Sequence, residues 1–323
     1  MRVVIGCDVG GSSVKAGVIT ADGELLAKKS IPTGAIVDEA AFAEVVALFN
    51  DVLAEAGCAS DDLCGIGIDM PGAVLPDGTH YMHFNIDIDA AGLRAAIARA
   101  FPQACADGAG EPDVLRIPCE NDANAAALGE MWMGSAQGSK SLVFVILGTG
   151  VGGGIVNESR LLVGGRGAGG EIGHICVNPN ERRSCSCGRK GCVEQYASWR
   201  GIIDSYRIAC EATGTEPVDT SAGAIAVFDE FRKGDLAAAW AIQTMTSALG
   251  QGLASVACVC DPDVFVLGGG VSGSFADFEP MLRNAYRMHA IENCQEIPFV
   301  PAALGNDAGL FGSAYLALEA AGA

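Results

Sequence analysis

Basic residues are scarce in this sequence: Lys and Arg number 20 against 39 Asp and Glu, a net charge of −19. A chain this acidic repels phosphate backbones instead of releasing counterions from them, so neither nucleic-acid binding nor docking on anionic membranes is expected. No uninterrupted apolar stretch approaches the length of a membrane span. No signal peptide is read, because Arg2 leads directly into a strand-like run, and no low-complexity tail or linker is found. A disulfide framework is also missing. The 13 cysteines are odd in number and scattered, and Cys7, Cys64, Cys258 and Cys260 lie in apolar runs, as small buried side chains do in a reducing cytoplasm. Finally, no GxxxxGK phosphate loop occurs.

What is present is apolar material. Half the residues are hydrophobic and 18% are charged, enough to bury large sheets. A chain of 323 residues exceeds one ordinary core, so two domains are expected. Residues 3–7, 14–20 and 25–31 read as strands around a Gly10-Gly11-Ser12-Ser13 turn and a hairpin turn at 21–24. Phe42, Val45, Val46, Phe49 and Leu53 recur at helical spacing and predict a helix over 39–56. Strands are expected at 63–68 and 114–118, a loop at 106–112, and an alanine-rich helix over 123–132, opened by Asn121 and Asp122. The pattern then restarts with strand 141–147, turn 148–150 and strand 152–157, which points to two duplicated α/β halves. Beyond it come helix 236–258, strand 264–267, helix 278–288, a short strand at 298–301 and a last helix to about 319 capped by Asn306.

The densest chemistry lies at residues 170–195, GEIGHICVNPNERRSCSCGRKGCVEQ. Cys185, Cys187 and Cys192 fall close together, His174 lies upstream, and Glu171 and Glu194 bracket the set. Thiolate and imidazole groups at this density favour tetrahedral Zn²⁺. Gly188 and Gly191 let the backbone curl so that the sulfurs converge. Four protein ligands leave no place for a catalytic water, so such a zinc is structural and holds Glu171, His174 and Glu194 towards a substrate. Cys176, two residues past His174, competes as a ligand on spacing alone.

Three glycine-rich turns each follow a strand: Gly10, Gly11 and Ser12; Gly148, Thr149, Gly150 and Gly152; and Gly268, Gly269 and Gly270. Such turns let backbone N–H groups approach a polyphosphate. The second is not a dinucleotide fingerprint, because 153–156 continue as strand where a helix should begin. Asp8 can hold Mg²⁺ through water. Lys15 either faces phosphate or is an exposed strand lysine. Asp122 can accept a hydroxyl proton during phosphoryl transfer, or is a helix-start acid answering the dipole.

Taken together, residues 8–15 (DVGGSSVK), 70–74 (MPGAV), 120–126 (ENDANAA), 147–154 (LGTGVGGG), 169–174 (GGEIGH) and 185–194 (CSCGRKGCVE) resemble the sugar kinases of the ROK family, within the actin-like ATPase superfamily. The resemblance runs nearly end to end. It implies an α/β fold of two ribonuclease-H-like domains around a hinged cleft. Residues 1–120 with a C-terminal helix near 305–323 would form the small domain, and 121–304 the large one with the zinc loop. It also implies that Gly72, Asn85, Asn121, Asp122, Glu171, His174 and Glu194 hold the sugar, with Asp122 as general base. Zinc would be bound by His174, Cys185, Cys187 and Cys192. The phosphates of ATP, with Mg²⁺, would lie against Gly10–Ser12 and Gly148–Gly152, and the nucleoside towards Gly268–Gly270. A homodimer is implied as well.

Residues 304–312, LGNDAGLFG, resemble the glucokinase branch, whereas 83–89, HFNIDID, depart from its Asn-Leu-x-x-Trp-like stretch and retain only Asn85. The expected reaction is therefore ATP-dependent phosphorylation of a hexose, glucose at its 6-hydroxyl. N-acetylmannosamine, N-acetylglucosamine, allose or fructose are the alternative sugars. A sugar-responsive repressor is the non-enzymatic alternative. It is disfavoured because the first strand begins at Arg2 with no DNA-binding helices ahead of it, and because the chain is acidic.

Overall fold

A computed structural model describes residues 2–75, 78–80, 86–105 and 114–322. Strands β1 (Val3–Val9), β2 (Ser13–Thr20) and β3 (Leu25–Pro32) form an antiparallel meander. Helix α1 (Glu39–Glu55) follows, with Asp38 Oδ1 accepting from Ala41 N at 2.9 Å as its N-cap. Strand β4 (Leu63–Met70) then runs parallel to β1. Helices α2 (Ala90–Ala100) and α3 (Pro102–Cys105) lead to β5 (Cys119–Asn121), parallel to β4. Helix α4 (Asp122–Trp132) connects to the second unit.

That unit repeats the scheme. β6 (Leu142–Leu147), β7 (Val151–Asn157) and β8 (Arg160–Leu161) form a second meander. Helices α5 (Glu194–Ala197), α6 (Trp199–Thr213), α7 (Ile225–Arg232) and α8 (Leu236–Cys260) intervene before β9 (Val264–Gly268), parallel to β6. α9 (Phe275–His289) precedes β10 (Phe299–Pro301), parallel to β9, and α10 (Ala308–Ala321) ends the fold. The sheet orders are β3-β2-β1-β4-β5 and β10-β9-β6-β7-β8, so strand for strand the second is the first repeated. The duplication read from two glycine-rich hairpins is thus a duplication of whole sheets.

Each central strand is apolar along most of its length because helices cover both faces, with Asp8 and Asp69 near the ends of β1 and β4 as the exceptions. β1 and β4 pack with Phe42, Phe49 and Val52 of α1 in one core, and β6 and β9 with Ile242, Met245 and Leu249 of α8 in another. On the remaining face glycine sets the spacing. A Cβ at Gly6 or Gly67 would collide with the Leu310 or Ser313 carbonyl oxygen of α10, so the last helix lies directly on β1 and β4. α4 rests on β7 in the same way, through Gly154, and on α10 through Gly129 and Gly312.

Several expectations need correction. The segment expected as strand 114–118 begins as a 3₁₀ turn at Val114–Arg116, and the strand starts later, at Cys119. Asn306 does not cap α10. It lies in a 3₁₀ turn at Gly305–Asp307, and its carbonyl accepts from Lys15. α2, α3, α5, α6, α7 and β8 are additional to the elements expected. The 106–112 loop lies outside the described residues.

Candidate active site

Parallel pairing places Asp8 opposite Asp69, and Asp69 opposite Glu120. Paired residues point to the same face, so three carboxylates share one side of the sheet near the strands' C-terminal ends, where open α/β sheets bind ligands. Glu120 is satisfied: its Oε1 accepts from Asn121 N at 2.8 Å and Asn124 Nδ2 at 3.0 Å. Asp8 is ion-paired, with Lys15 Nζ 2.7 Å from Oδ2, and Lys15 also donates to Asn306 O at 3.1 Å. Lys15 therefore spans the open end of this face, occupied by its own chain's acid.

The turn after β1 is tied at its edges and open in its middle. Gly10 N donates to Ser13 O at 3.0 Å, and Thr33 holds the Gly10 and Ser12 carbonyls through its hydroxyl and amide. A Cβ at Gly11 would meet nothing within 4 Å, and Gly11 and Ser12 are exposed. The matching turn after β6 is closed by Gly148 N on Gly150 O at 3.0 Å, with Thr149 exposed, and Trp199 N donates to Gly148 O at 3.0 Å. Of the third turn, Gly268 packs on the Phe144 ring and Gly269 on the Leu147 backbone. Gly270, with Gly148, lines a cavity of about 390 Å³ walled by Trp199, Ala224, Ile225 and Phe228. Those four walls were not picked out from the sequence.

Asp122 begins α4 between these turns. Asn121 is the N-cap, its Oδ1 accepting from Ala123 N at 2.9 Å and Asn124 N at 3.1 Å. Its amide nitrogen donates to Gly72 O and to Asp122 Oδ1, each at 3.0 Å, so all four of its side-chain hydrogen-bonding positions are used within the chain. Gly72 takes φ 114°, which suits glycine and turns its carbonyl towards Asn121. Asp122 also accepts from Ala123 N at 2.9 Å on Oδ1, so both of its bonds fall on one oxygen. It is exposed to solvent, though the protein atoms around it still desolvate the carboxyl. Desolvation there raises its carboxyl to about 6; the charge of Asp8 adds to the rise, and the Ala123 and Asn121 bonds oppose it.

The cysteine loop gathers as its spacing suggests. One ligand atom each from His174, Cys185, Cys187 and Cys192 lies within 4.8 Å of the others. Cys176 is outside this group, its sulfur on Lys190 O at 3.6 Å. The two His174 nitrogens face different ways: Nδ1 lies 3.6 Å from Cys185 Sγ, and Nε2 lies 3.8 Å from Glu171 Oε2. Desolvation raises the Cys187 thiol, but bonds from the Arg189 backbone and guanidinium and from Cys185 and Cys192 outweigh it and hold it at about 6. Glu194 joins this loop to the second turn. Its Oε1 accepts from Ser186 Oγ at 2.5 Å and Cys185 Sγ at 3.4 Å, and its Oε2 from Val151 N at 3.2 Å. A Cβ at Gly150 would lie 2.5 Å from that second oxygen, and one at Gly152 would lie 3.7 Å from Ala123 Cβ. Glu194 and the start of α4 thus flank the same few residues of β7. Asn85 lies outside the described residues.

Two duplicated sheets, paired glycine turns and an acid at a helix start between them define the actin-like ATPase fold. The ROK family model matches residues 4–320, and the chain belongs to the ROK family. It is 34% identical to a glucokinase of Halalkalibacterium halodurans, over 98% of this chain and 94% of that one. Among solved structures, it matches a ROK hexokinase of Thermus thermophilus with a TM-score of 0.79, at 34% identity over 98% of this chain and 97% of that one. It also matches a ROK family glucokinase of Streptomyces griseus in complex with glucose and AMPPNP, with a TM-score of 0.71, at 29% identity over 98% and 99% of the two chains.

Proposed function

We propose that this protein transfers the γ-phosphoryl group of ATP to the 6-hydroxyl of glucose, with Asp122 as general base. The observation that carries the reading is the Asp122 carboxylate. Oδ1 is anchored by Asn121 and Ala123, which leaves Oδ2 for a substrate hydroxyl. Asp122 takes the proton as the sugar oxygen attacks phosphorus, and the bond from phosphorus to the leaving ADP oxygen breaks. Asn121 positions that acid. Glu171, His174 and Glu194 would bind the remaining hydroxyls, and Gly11, Ser12, Gly148 and Thr149 would offer amides to the phosphates.

Two inorganic ions fit the residues present. The His174, Cys185, Cys187 and Cys192 set suits Zn²⁺, which would cross-link the loop and take no part in the chemistry. Asp8 suits Mg²⁺, which would neutralise phosphate charge when bound with nucleotide. Residues 1–120 with the C-terminal helix near 305–323, and 121–304, would be the two domains that close on substrate and exclude water.

Purified protein with Mg-ATP should phosphorylate glucose in a coupled assay; no turnover on any sugar would refute the reading. A second reading keeps the reaction and changes the sugar, because residues 83–89 depart from the glucokinase pattern. Comparing kcat/KM across glucose, N-acetylmannosamine, N-acetylglucosamine, allose and fructose decides between them. A homodimer is part of the proposal; a monomer mass in light scattering at assay concentration would remove it.

A further inference from the structure

Asp69 lies on the face shared with Asp8, and the reaction above leaves it unused. It is 0% exposed, and in its ionised form neither carboxylate oxygen has a hydrogen-bond partner. Its position follows from the sheet. Gly65 and Gly67 of β4 and Gly6 of β1 lie under α10, so Asp69 and Asp8, two residues further along their strands, stand on that same face beyond the helix. A Cβ at Gly309, in the first turn of α10, would lie 3.1 Å from both Asp69 oxygens. The carboxyl thus points into a niche formed by Asp8, the start of α10 and the Lys15 side chain.

A second observation marks what belongs in that niche. Lys15 Nζ bonds Asp8 Oδ2 at 2.7 Å and the Asn306 carbonyl at 3.1 Å, so an ammonium already stands where carboxylate and carbonyl oxygens converge. Those oxygens are the ligands a hard cation selects. That ammonium bonds Asp8 and not Asp69, so no hydrogen-bond donor among the described residues reaches the buried carboxylate. A buried carboxylate without a donor is costly unless it is protonated or neutralised by a cation.

We propose that Asp69 and Asp8 together ligate the divalent cation, with Asp69 as an inner carboxylate beneath the phosphate bed and Lys15 as the group the ion displaces. This deepens the kinase reading and rests on it for the identity of the ion. It adds a ligand from β4, in the residue immediately before Met70-Pro71-Gly72.

The test is Mn²⁺ titration of the full chain without nucleotide, read by the electron paramagnetic resonance of free Mn²⁺, with Mg²⁺ as competitor. The wild type should bind Mn²⁺ and release it to Mg²⁺. Asp69→Asn keeps the shape and removes the charge, and should weaken binding by on the order of tenfold or more. Lys15→Met removes the competing ammonium and should tighten it. A residue that only shaped the niche would leave both affinities unchanged. Equal binding by wild type and both variants, or no binding by wild type, overturns the proposal. A sugar-phosphorylation assay on the same wild-type preparation separates this from the kinase reading. Turnover with unaltered Mn²⁺ binding in Asp69→Asn refutes the site alone, and Mn²⁺ binding without turnover refutes the reaction alone.

Discussion

Asp122 combines solvent access with a carboxyl raised to about 6 by desolvation, so its protonation changes near neutral pH. A general base works only when ionised, so kcat/KM for the sugar should rise with pH through about 6 and level off above it. Asp122→Asn should lose that limb and lower kcat by about 10²–10⁴-fold. Stability should move the other way. The folded pKa lies above the ordinary carboxyl value of the unfolded chain, so the folded state holds its proton more tightly than the unfolded chain does. The resulting stabilisation is full below the unfolded value and is lost as pH rises through about 6. At neutral pH the Asn variant should therefore melt at least as high as wild type. A pH–rate profile with parallel melts checks both, and a melt that falls along with the rate would make Asp122 a folding residue. Asp122 was legible because it stands in ENDANAA, at a helix start that alanine periodicity makes plain. Asp69 was not. It falls one residue past the buried strand read at 63–68, and only the register against β1 brings Asp69 beside Asp8.

At the scale of elements, glycine decides how closely helices approach sheets. A Cβ at Gly67 would collide with the Ser313 carbonyl oxygen, a backbone atom that yields only if α10 moves as a whole. Gly67→Ala should therefore cost about 1–3 kcal/mol or more by overpacking, seen as a lower urea midpoint. The displaced helix would carry Gly309 and Asn306 with it, so loss of activity should exceed what partial unfolding explains. An unchanged midpoint would show that α10 tolerates displacement. Sequence periodicity marks these strands as buried but does not say what covers them, so the role of Gly6, Gly65 and Gly67 was invisible there. α6 is a different case. Its Ile202, Ile203, Tyr206, Ala209 and Cys210 face the core at helical spacing, Ser198 caps its start, and Gly214 ends it with φ 71°. Those signals are local and could have been read. The start of β5 at Cys119 could not, because three residues carry too little pattern to fix a strand's ends.

For the whole molecule, the two sheets meet through α4 and α10, and buried Glu130 fastens the crossover between them. It accepts from Ser135 N at 2.8 Å, Ala303 N at 3.1 Å and Leu304 N at 2.8 Å. The cysteine loop lies elsewhere, on the second half, and reaches the turn after β6 through Glu194, which accepts from Val151 N, and through Gly173, which packs on the Val151 carbonyl. That separation predicts what metal removal does. Glu171, His174 and Glu194 belong to or border the segment that the metal would cross-link, whereas Gly11 and Ser12 hang from the first sheet through Thr33. Stripping the metal with a chelator should lower the melting temperature and raise KM for sugar several-fold or more, with KM for ATP changing much less. Zn²⁺ added back should restore both. Cys187→Ser should mimic the chelator, because its thiol is the one held at about 6 and so is mostly thiolate at neutral pH. Cys176→Ser, outside the cluster, should not. Metal analysis of the purified chain, with the two KM values before and after chelation, decides the matter. No bound zinc, or equal rises in both constants, would mean that the loop holds its acids in place by packing alone.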